Sequence, residues 1–224
     1  MRATAIIPVK RFRAAKQRLA EAVGPPGRAA LAKAMLADVL AAVTTSELVE
    51  RVVVVTGEGR AEKVALDVSR GVKTPVEVMR DPEDTGHSEA ATLGIVRAKA
   101  LGAGAVAVLP GDCPLLDPRE LDAALGRLGD EGVIVVPDRH GTGTNALLMC
   151  PGDAIAPGFG PDSCDRHVER ARRRDLAVAV DELPSLGLDL DTFDDLAVLA
   201  ETLAAEPERA PRTADAVAGL KALP

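Results

Sequence analysis

Ala105-Val106-Ala107-Val108-Leu109-Pro110-Gly111-Asp112-Cys113-Pro114-Leu115-Leu116 is a short apolar run that ends at a glycine and an aspartate. Five consecutive apolar residues without alternation are typical of a strand covered on both faces, as in a parallel sheet that lies between helices. In such sheets, ligands bind beyond the carboxyl ends of the strands. Asp112 is therefore either a carboxylate delivered to a ligand site or an ordinary turn residue after a strand.

The rest of the chain alternates apolar strands with helical patterns, which is typical of an α/β fold. Further strands are predicted at Ala3–Val9, Arg51–Thr56, Val76–Met79, Val133–Val136, Ala146–Cys150 and Leu176–Val180. Helices are predicted from Pro25 to about Ala42 and from Asp117 to about Leu128, and at Ala61–Ser69, Glu89–Leu101, Asp165–Arg174 and Asp194–Ala205. We expect a single domain over residues 1–224, with a mixed, mostly parallel sheet, helices on both faces and a C-terminal tail from about residue 206.

The composition narrows the class of protein. Hydrophobic residues make up 47% of the chain and aromatic residues 1%, so the core must consist of Val, Leu, Ile and Ala. A net charge of −7 and the lack of Trp and Tyr argue against a nucleic-acid partner. Cys113, Cys150 and Cys164 lack zinc or disulfide spacing, which fits a cytoplasmic protein. No apolar run is long enough for a signal peptide or a membrane span, so we expect no membrane partner. The oligomeric state is left open.

A cationic loop follows the first predicted strand. Five Lys and Arg residues fall between residues 10 and 18, where the loop lies at the carboxyl edge of the sheet and can bind a polyphosphate. Lys10, Lys16 and Arg18 are the candidates for these contacts. The loop has neither the Walker A nor the Gly-x-Gly-x-x-Gly pattern. The alternative is a solvated basic surface.

A polar loop ends at Ser88, which is a candidate N-cap for the predicted helix that begins at Glu89. The free N–H groups of a helix N-terminus can bind an anion or a sugar hydroxyl, so Gly86, His87 and Ser88 are candidate nucleotide contacts. Simple helix capping is the equally open alternative. His87 has no neighbouring Ser or Asp that would indicate a catalytic triad.

Two glycine-bearing segments later in the chain are candidates for binding a small anion. Gly141-Thr142-Gly143-Thr144 offers hydroxyls and amides for phosphate or carboxylate oxygens, although it is also typical of a hairpin turn. The second segment, Pro157–Cys164, leads into a predicted helix, and Ser163 lies near the start of that helix. This second segment can close around the same anion, with Arg166 and Arg170 as further cations.

The third group of candidates is acidic. Asp189 and Asp191 alternate around Leu190, which places both carboxylates on one face if the segment is extended. Together with Asp112 they fit Mg²⁺, which prefers oxygen ligands and keeps waters and substrate phosphates in its shell. Asp191 or Thr192 can cap the helix that follows.

The segments Ala5–Leu19, Gly111–Leu115, Gly141–Thr144, Phe159-Gly160-Pro161-Asp162-Ser163 and Asp189–Thr192 occur together and in order. In this the chain resembles the 2-phospho-L-lactate guanylyltransferases of coenzyme F-420 biosynthesis, including the members that use phosphoenolpyruvate. The likeness extends over about residues 3–200. It implies a nucleotide-diphospho-sugar-transferase-like sheet, Mg²⁺ held by Asp112 and Asp189 with Asp191 nearby, and a phosphorylated three-carbon acid bound by Thr144, Gly160 and Ser163.

The resemblance also implies the reaction. GMP is transferred from GTP to the phospho-acid, which is phosphoenolpyruvate or 2-phospho-L-lactate, and pyrophosphate is released. The residues that face the triphosphate are then Lys10, Lys16 and Arg18. The catalytic roles fall to Lys10, Arg18 and Asp112. A deazaflavin-accepting transferase would consume the product. Two alternatives remain: another nucleotidyltransferase, of molybdenum-cofactor or sugar-phosphate type, and a non-catalytic nucleotide-binding regulator. The regulator is suggested by Ala90-Ala91-Thr92, which follow Glu89 where many members of the family have Pro-Leu-Asn.

Overall fold

The computed structural model describes residues 2–12, 19–20 and 23–220, and these form a layered α/β structure around one sheet. The sheet has seven strands among the described residues, in the order β3-β2-β1-β4-β6-β5-β7. The strands are β1 (Ala3–Val9), β2 (Val49–Thr56), β3 (Val76–Arg80), β4 (Ala105–Val108), β5 (Gly132–Pro137), β6 (Thr144–Cys150) and β7 (Ala177–Val180). All neighbours pair in parallel except β6, which is antiparallel to both β4 and β5. The mixed, mostly parallel sheet is confirmed.

Each predicted helix is present, with shifted ends. The helices are α1 (Pro25–Val43), α2 (Gly59–Ser69), α3 (His87–Ala100), α4 (Pro118–Arg127), α5 (Ser163–Arg172), α6 (Phe193–Ala205) and α7 (Pro211–Ala218). Both α3 and α5 begin two residues earlier than predicted, because their N-caps are Gly86 and Asp162, both at positive φ, rather than a side-chain cap. Within the described ranges, no helix combines the length and apolar character needed to cross a bilayer.

Helices cover both faces of the sheet, as predicted. Successive residues of a strand point to opposite faces, so Ile7 packs in one core cluster and Ile6 in the other. The first cluster joins the sheet to α1, α2, α4, α6 and α7, and the second joins it to α3 and α5. Both clusters consist almost entirely of aliphatic side chains, as the composition requires.

The segment after Glu206, which we interpreted as a tail, contains a helix that packs on the core. Thr213 and Val217 of α7 are buried against α1. The buried Asp38 carboxylate of α1 accepts hydrogen bonds from the Thr213 N–H and hydroxyl, both at 2.7 Å, and pairs with Arg212 at 3.1 Å. Sequence analysis missed this helix because it is short and its apolar positions are few.

The antiparallel strand β6 determines where the candidate site residues meet. The parallel strands end at one edge of the sheet, and an antiparallel strand begins at that same edge. Thr144, the first residue of β6, therefore lies at the edge where β1 ends before Lys10 and β4 ends before Asp112. One edge of the sheet thus brings together residues more than a hundred positions apart.

Candidate functional site

A cavity of about 290 Å³ opens at the carboxyl ends of β1 and β4. Its polar lining consists of Lys10, His87, Asp112 and Asp191, from four different segments of the chain. The apolar lining comes from β1, α1 and the segment after β1: Pro8, Val9, Phe12, Ala32, Met35 and Leu36. A cation, two carboxylates and an imidazole around one opening can bind a charged ligand.

Asp112 occupies the place that the central strand predicts. The Leu109 N–H donates to the Ile6 carbonyl at 2.9 Å, which continues the pairing of β4 with β1 one residue beyond β4. Gly111 comes two residues later. A Cβ added at Gly111 would touch the side chains of Leu36 and Ile7 at ordinary van der Waals distance. The chain then turns and leaves the Asp112 side chain in the cavity wall, half-buried. Of the two interpretations of Asp112, the ligand-site one agrees with this placement.

The predicted metal ligands are only partly brought together. Asp112 and Asp191 line the same cavity, whereas Asp189 is half-buried and is not among the described residues that line it. Across the described ranges, no three His, Cys, Asp or Glu side chains are grouped so as to hold an ion by themselves. Mg²⁺ needs only one or two protein carboxylates, because waters and substrate phosphates complete its shell. The pair Asp112 and Asp191 fits that requirement, and Asp189 stays a prediction.

Asp195 holds the segment that carries Asp191. Its buried carboxylate accepts hydrogen bonds from the Asp191 N–H at 2.9 Å and from the Thr192 N–H at 2.6 Å, and Thr192 caps α6 in return. The other carboxylate oxygen pairs with Arg139 from the loop between β5 and β6. The predicted Thr192 cap is confirmed, and the cap also determines where Asp191 lies.

His87 is neutral in this site. Burial lowers its pKa to about 4; the nearby Asp112 carboxylate opposes this shift, and the Lys10 ammonium adds to it. A neutral imidazole beside Lys10 and Asp112 can donate or accept a hydrogen bond but adds no positive charge. Within the described residues, the cation on the cavity wall is Lys10, which is exposed.

The remaining nucleotide candidates have different outcomes. Lys16 and Arg18 lie outside the described residues, so their contacts with a triphosphate stay predictions. Gly86, not Ser88, is the N-cap of α3, and its φ of +118° suits a residue without a Cβ. The Ser88 hydroxyl instead accepts a hydrogen bond from the Phe159 N–H at 2.9 Å. The N-cap prediction for Ser88 is wrong, because the backbone conformation at Gly86 starts the helix two residues earlier.

Two predicted acid-binding residues meet at α5: Thr144 packs against this helix, and Ser163 is its first residue. The turn between β5 and β6 is a hairpin, as one of the two interpretations required, and it places Thr144 against α5. The Thr144 hydroxyl lies 3.0 Å from His167 Nδ1. Ser163 begins α5, and its buried hydroxyl has no hydrogen-bond partner within the described ranges. Gly160, the third predicted residue, is exposed at a φ of +115° in the loop before α5.

The Phe159 ring connects these residues to the cavity. It makes edge contacts with His87 on the cavity wall, at 4.7 Å between ring centres, and with His167 on α5, at 5.4 Å. The Phe159 backbone is held by Ser88, at the start of α3. The loop before α5 therefore packs directly against the N-terminus that carries the nucleotide candidates.

Arg166 and Arg170, the further cations of the predicted anion site, donate to backbone carbonyls, and their role in anion binding stays a prediction. The Arg166 guanidinium donates to the carbonyls of Gly158 and Pro161, at 3.0 and 2.8 Å, and Arg170 donates to the Ala156 carbonyl at 2.6 Å. Both hold the backbone of the loop before α5. A charge pattern in sequence cannot distinguish this use of arginine from anion binding.

Sequence analysis missed three residues of this region: His167, Phe159 and Arg139. His167 carried one usable signal, because it lies four positions after Ser163 and thus on the same face of the helix. The contacts of Phe159 and Arg139 join segments that are distant in sequence, and no local pattern predicts them.

Comparison with known proteins identifies the family. The family model described as "Guanylyl transferase CofC like" matches residues 3–202. A phosphoenolpyruvate guanylyltransferase of Conexibacter woesei is 46% identical over 202 residues, which cover 89% of this chain and 88% of the relative. A 3-phospho-D-glycerate guanylyltransferase of Phenylobacterium zucineum is 36% identical over 225 residues and covers 98% of this chain and 97% of its own length.

Solved structures confirm the fold. A protein of Desulfovibrio desulfuricans G20, assigned as a nucleotide-diphospho-sugar transferase, superposes with a TM-score of 0.74 at 21% identity, covering 97% of this chain and 95% of that chain. The CMP:2-keto-3-deoxy-manno-octonic acid synthetase, solved with CTP, has a TM-score of 0.59 at 14% identity and covers 92% of this chain and 100% of that chain. At these identities the likeness concerns the fold alone. The family match and the relatives go further, and they show that the chain belongs to the family of CofC-like guanylyl transferases.

Proposed function

We propose that this protein transfers the GMP part of GTP to the phosphate of phosphoenolpyruvate and releases pyrophosphate. The observation that carries the proposal is the family match over residues 3–202, together with relatives that are mostly named phosphoenolpyruvate guanylyltransferases. A relative named for 3-phospho-D-glycerate makes that acid the first competitor, and 2-phospho-L-lactate is the second. The step belongs to coenzyme F-420 biosynthesis, where a deazaflavin-accepting transferase would take up the product; a cytoplasmic location stays a prediction.

The chemistry needs no general base. A phosphate monoester is already anionic near neutral pH, so one of its oxygens forms a bond to the α-phosphorus of GTP while the bond from that phosphorus to the β-phosphate oxygen breaks. The leaving group is pyrophosphate. The barrier comes mainly from repulsion between anions and from poor alignment of the reacting atoms.

The chain supplies charge and position for this displacement. Mg²⁺, which Asp112 and Asp191 would hold, neutralises phosphate charge and orients phosphate oxygens when it is bound. Lys10 adds a cation at the cavity wall. The neutral His87 can hydrogen-bond to the nucleotide. The acid binds next to the nucleotide, to the Thr144 and Ser163 hydroxyls and the Gly160 backbone.

The direct test is pyrophosphate release from GTP and Mg²⁺ with each of the three acids. We expect release with phosphoenolpyruvate at a kcat/KM at least about tenfold above the other two, the size of effect that one well-placed contact supplies. A preference for CTP or UTP over GTP would favour another nucleotidyltransferase. Tight GTP binding in calorimetry without pyrophosphate release on any acid would favour the regulator.

Asp112→Asn tests the assignment of the cavity as the active site. The substitution keeps the shape of the side chain and removes its charge, so we expect pyrophosphate release to fall at least about a hundredfold. Asp130→Asn, at an exposed position away from the cavity, is the matched control and should retain full activity. Normal turnover by Asp112→Asn would contradict the assignment.

A further inference from the structure

His167 is a fully buried histidine whose two ring nitrogens both have partners. Its Nε2 accepts a hydrogen bond from the Gly158 N–H at 2.9 Å, and its Nδ1 lies 3.0 Å from the Thr144 hydroxyl oxygen. The residue therefore connects the loop before α5 with the first residue of β6. Neither the sequence pattern nor the proposed chemistry assigns it a role.

The Gly158 contact determines which nitrogen carries the proton. A backbone N–H can only donate, so Nε2 must be unprotonated. Burial, with smaller contributions from Arg170 and Arg166, lowers the pKa of His167 to about 4, and the ring is neutral at physiological pH. The single proton of the neutral ring is then on Nδ1, which donates it to the Thr144 oxygen.

This donation orients the Thr144 hydroxyl. Because its oxygen accepts from His167, its own hydrogen cannot point toward the ring and is left to donate to another acceptor. Ser163 lies one helical turn before His167 on the same face of α5, and its buried hydroxyl has no partner among the described residues. One hydroxyl in contact with His167 and one a helical turn before it therefore each have a hydrogen left to donate, and an anionic oxygen is the acceptor that such donors favour.

We propose that His167 is a positioning residue for the phospho-acid: it holds the Thr144 hydroxyl as a donor to the acid and fastens the Gly158 backbone next to Gly160. The inference rests on the proposed transfer to a phosphorylated acid and deepens it. His167 touches neither substrate and acts through Thr144 and the loop. The hydroxyl donors favour an anion with acceptor oxygens, such as a carboxylate or phosphate. A neutral ligand would form weaker hydrogen bonds with them.

The two arms of the imidazole can be removed separately. Gln places an acceptor near the position of Nε2 and retains the Gly158 bond but loses the donor to Thr144. Asn places a donor near the position of Nδ1 and retains the Thr144 bond but loses the Gly158 acceptor. A merely structural histidine would respond to either change with lower stability and with no distinction between the substrates.

We expect His167→Gln to raise the KM for phosphoenolpyruvate about ten- to a hundredfold, the effect of one lost hydrogen bond to a charged group, while the KM for GTP changes less than about twofold. His167→Asn should raise the KM for phosphoenolpyruvate less than His167→Gln. In the Thr144→Val background, His167→Gln should add no further increase, because the hydroxyl through which it acts is gone. Val168→Ala, the next residue along α5 and packed in the core, is the control for lost stability and should leave both KM values unchanged.

The inference is overturned if His167→Gln leaves the KM for phosphoenolpyruvate within about twofold of the wild type, or raises the KM for GTP equally. If the wild type releases no pyrophosphate with any acid, the proposed function fails, and binding of phosphoenolpyruvate to the wild type and to His167→Gln is then compared by calorimetry. Weaker binding by the variant supports the role of His167. Equal binding, or none by the wild type, contradicts it.

Discussion

At the scale of single residues, two buried polar side chains, Asp195 and His167, are bonded to groups that we propose bind ligands, and neither lines the cavity. Asp195 connects Asp191, Thr192 and Arg139, and His167 connects Thr144 with Gly158. Each side chain bonds both to a backbone segment and to a residue that is expected to bind substrate or metal, or to the segment that carries such a residue. Substitution of either should therefore change both stability and activity.

Asp195→Ala removes the carboxylate that completes the capping box of α6 and that pairs with Arg139. We expect the free energy of unfolding to fall by about 2 to 4 kcal/mol, since a buried paired charge and a helix cap are lost together. Pyrophosphate release should fall as well, because the Asp191 segment loses its support. Asp194→Ala, at an exposed position in the same helical turn, is the control and should cost less than about 0.5 kcal/mol. Equal unfolding free energies in urea would contradict this account.

The buried, neutral state of His167 makes stability depend on pH. Its pKa is about 4 in the folded protein against an ordinary value of 6.5, so the unfolded state binds more protons between these values. Stability is full above pH 6.5 and is lost as the pH falls toward 4. Between pH 7.5 and pH 4.5 the wild type should lose about 2 to 3 kcal/mol more unfolding free energy than His167→Gln. Parallel urea-unfolding curves for the two proteins at both pH values would refute this expectation.

At the scale of elements, the site depends on how closely α3 approaches the sheet, since His87 begins this helix. The approach is possible because Gly94 faces β1: a Cβ there would overlap the Ile6 methyl group and lie 3.2 Å from a Val55 methyl. The glycine lowers intrinsic helix stability but allows the close packing. The position of the helix N-terminus over the cavity follows from this contact.

Gly94→Ala should therefore destabilise the protein by about 1 to 3 kcal/mol, although alanine is the better helix former. Gly126→Ala, in α4, meets no atom within 4 Å and should stabilise the protein by up to about 1 kcal/mol. Thermal unfolding of the two variants is the measurement. A Tm for Gly94→Ala at or above that of the wild type would show that α3 can move away from β1 without cost.

At the scale of the whole molecule, the C-terminal helix α7 is tied to the start of the fold. Asp38 in α1 binds Thr213 and Arg212, which lie more than 170 residues later in the chain. Asp38 does not line the cavity, although Met35 and Leu36 of the same helix do, and its contact with α7 closes one face of the core. It is expected to stabilise the protein without a part in the reaction.

Asp38→Ala should lower the free energy of unfolding by about 2 to 4 kcal/mol, because the Thr213 N–H and hydroxyl are left buried without an acceptor. The KM values for GTP and phosphoenolpyruvate should stay within about twofold of the wild type. Asp215→Ala, an exposed carboxylate in α7, is the matched control and should have little effect on stability. A change in KM without a change in stability would show that α7 reaches the active site.

The sheet and its helices could be predicted because buried apolar runs such as Val106–Leu109 and helical spacings are properties of short segments. Helix starts were less predictable, since Gly86 and Asp162 start α3 and α5 through backbone conformation. The loop contacts of Arg166 and Arg170 were not predicted, because the carbonyls that a guanidinium reaches depend on the folded path of the chain.

The sequence by itself determined the strand that ends shortly before Asp112, the alternation of strands and helices, and the motifs that mark the family. The tertiary structure alone decided that Thr144 lies at the same sheet edge as Lys10 and Asp112, because that follows from the antiparallel direction of β6. It also decided that His167 is neutral and donates from Nδ1, because desolvation and hydrogen-bond partners come from segments brought together by folding. The local sequence pattern shows which side chains are available in each segment. The packing of the folded chain determines their charge, their orientation and their neighbours.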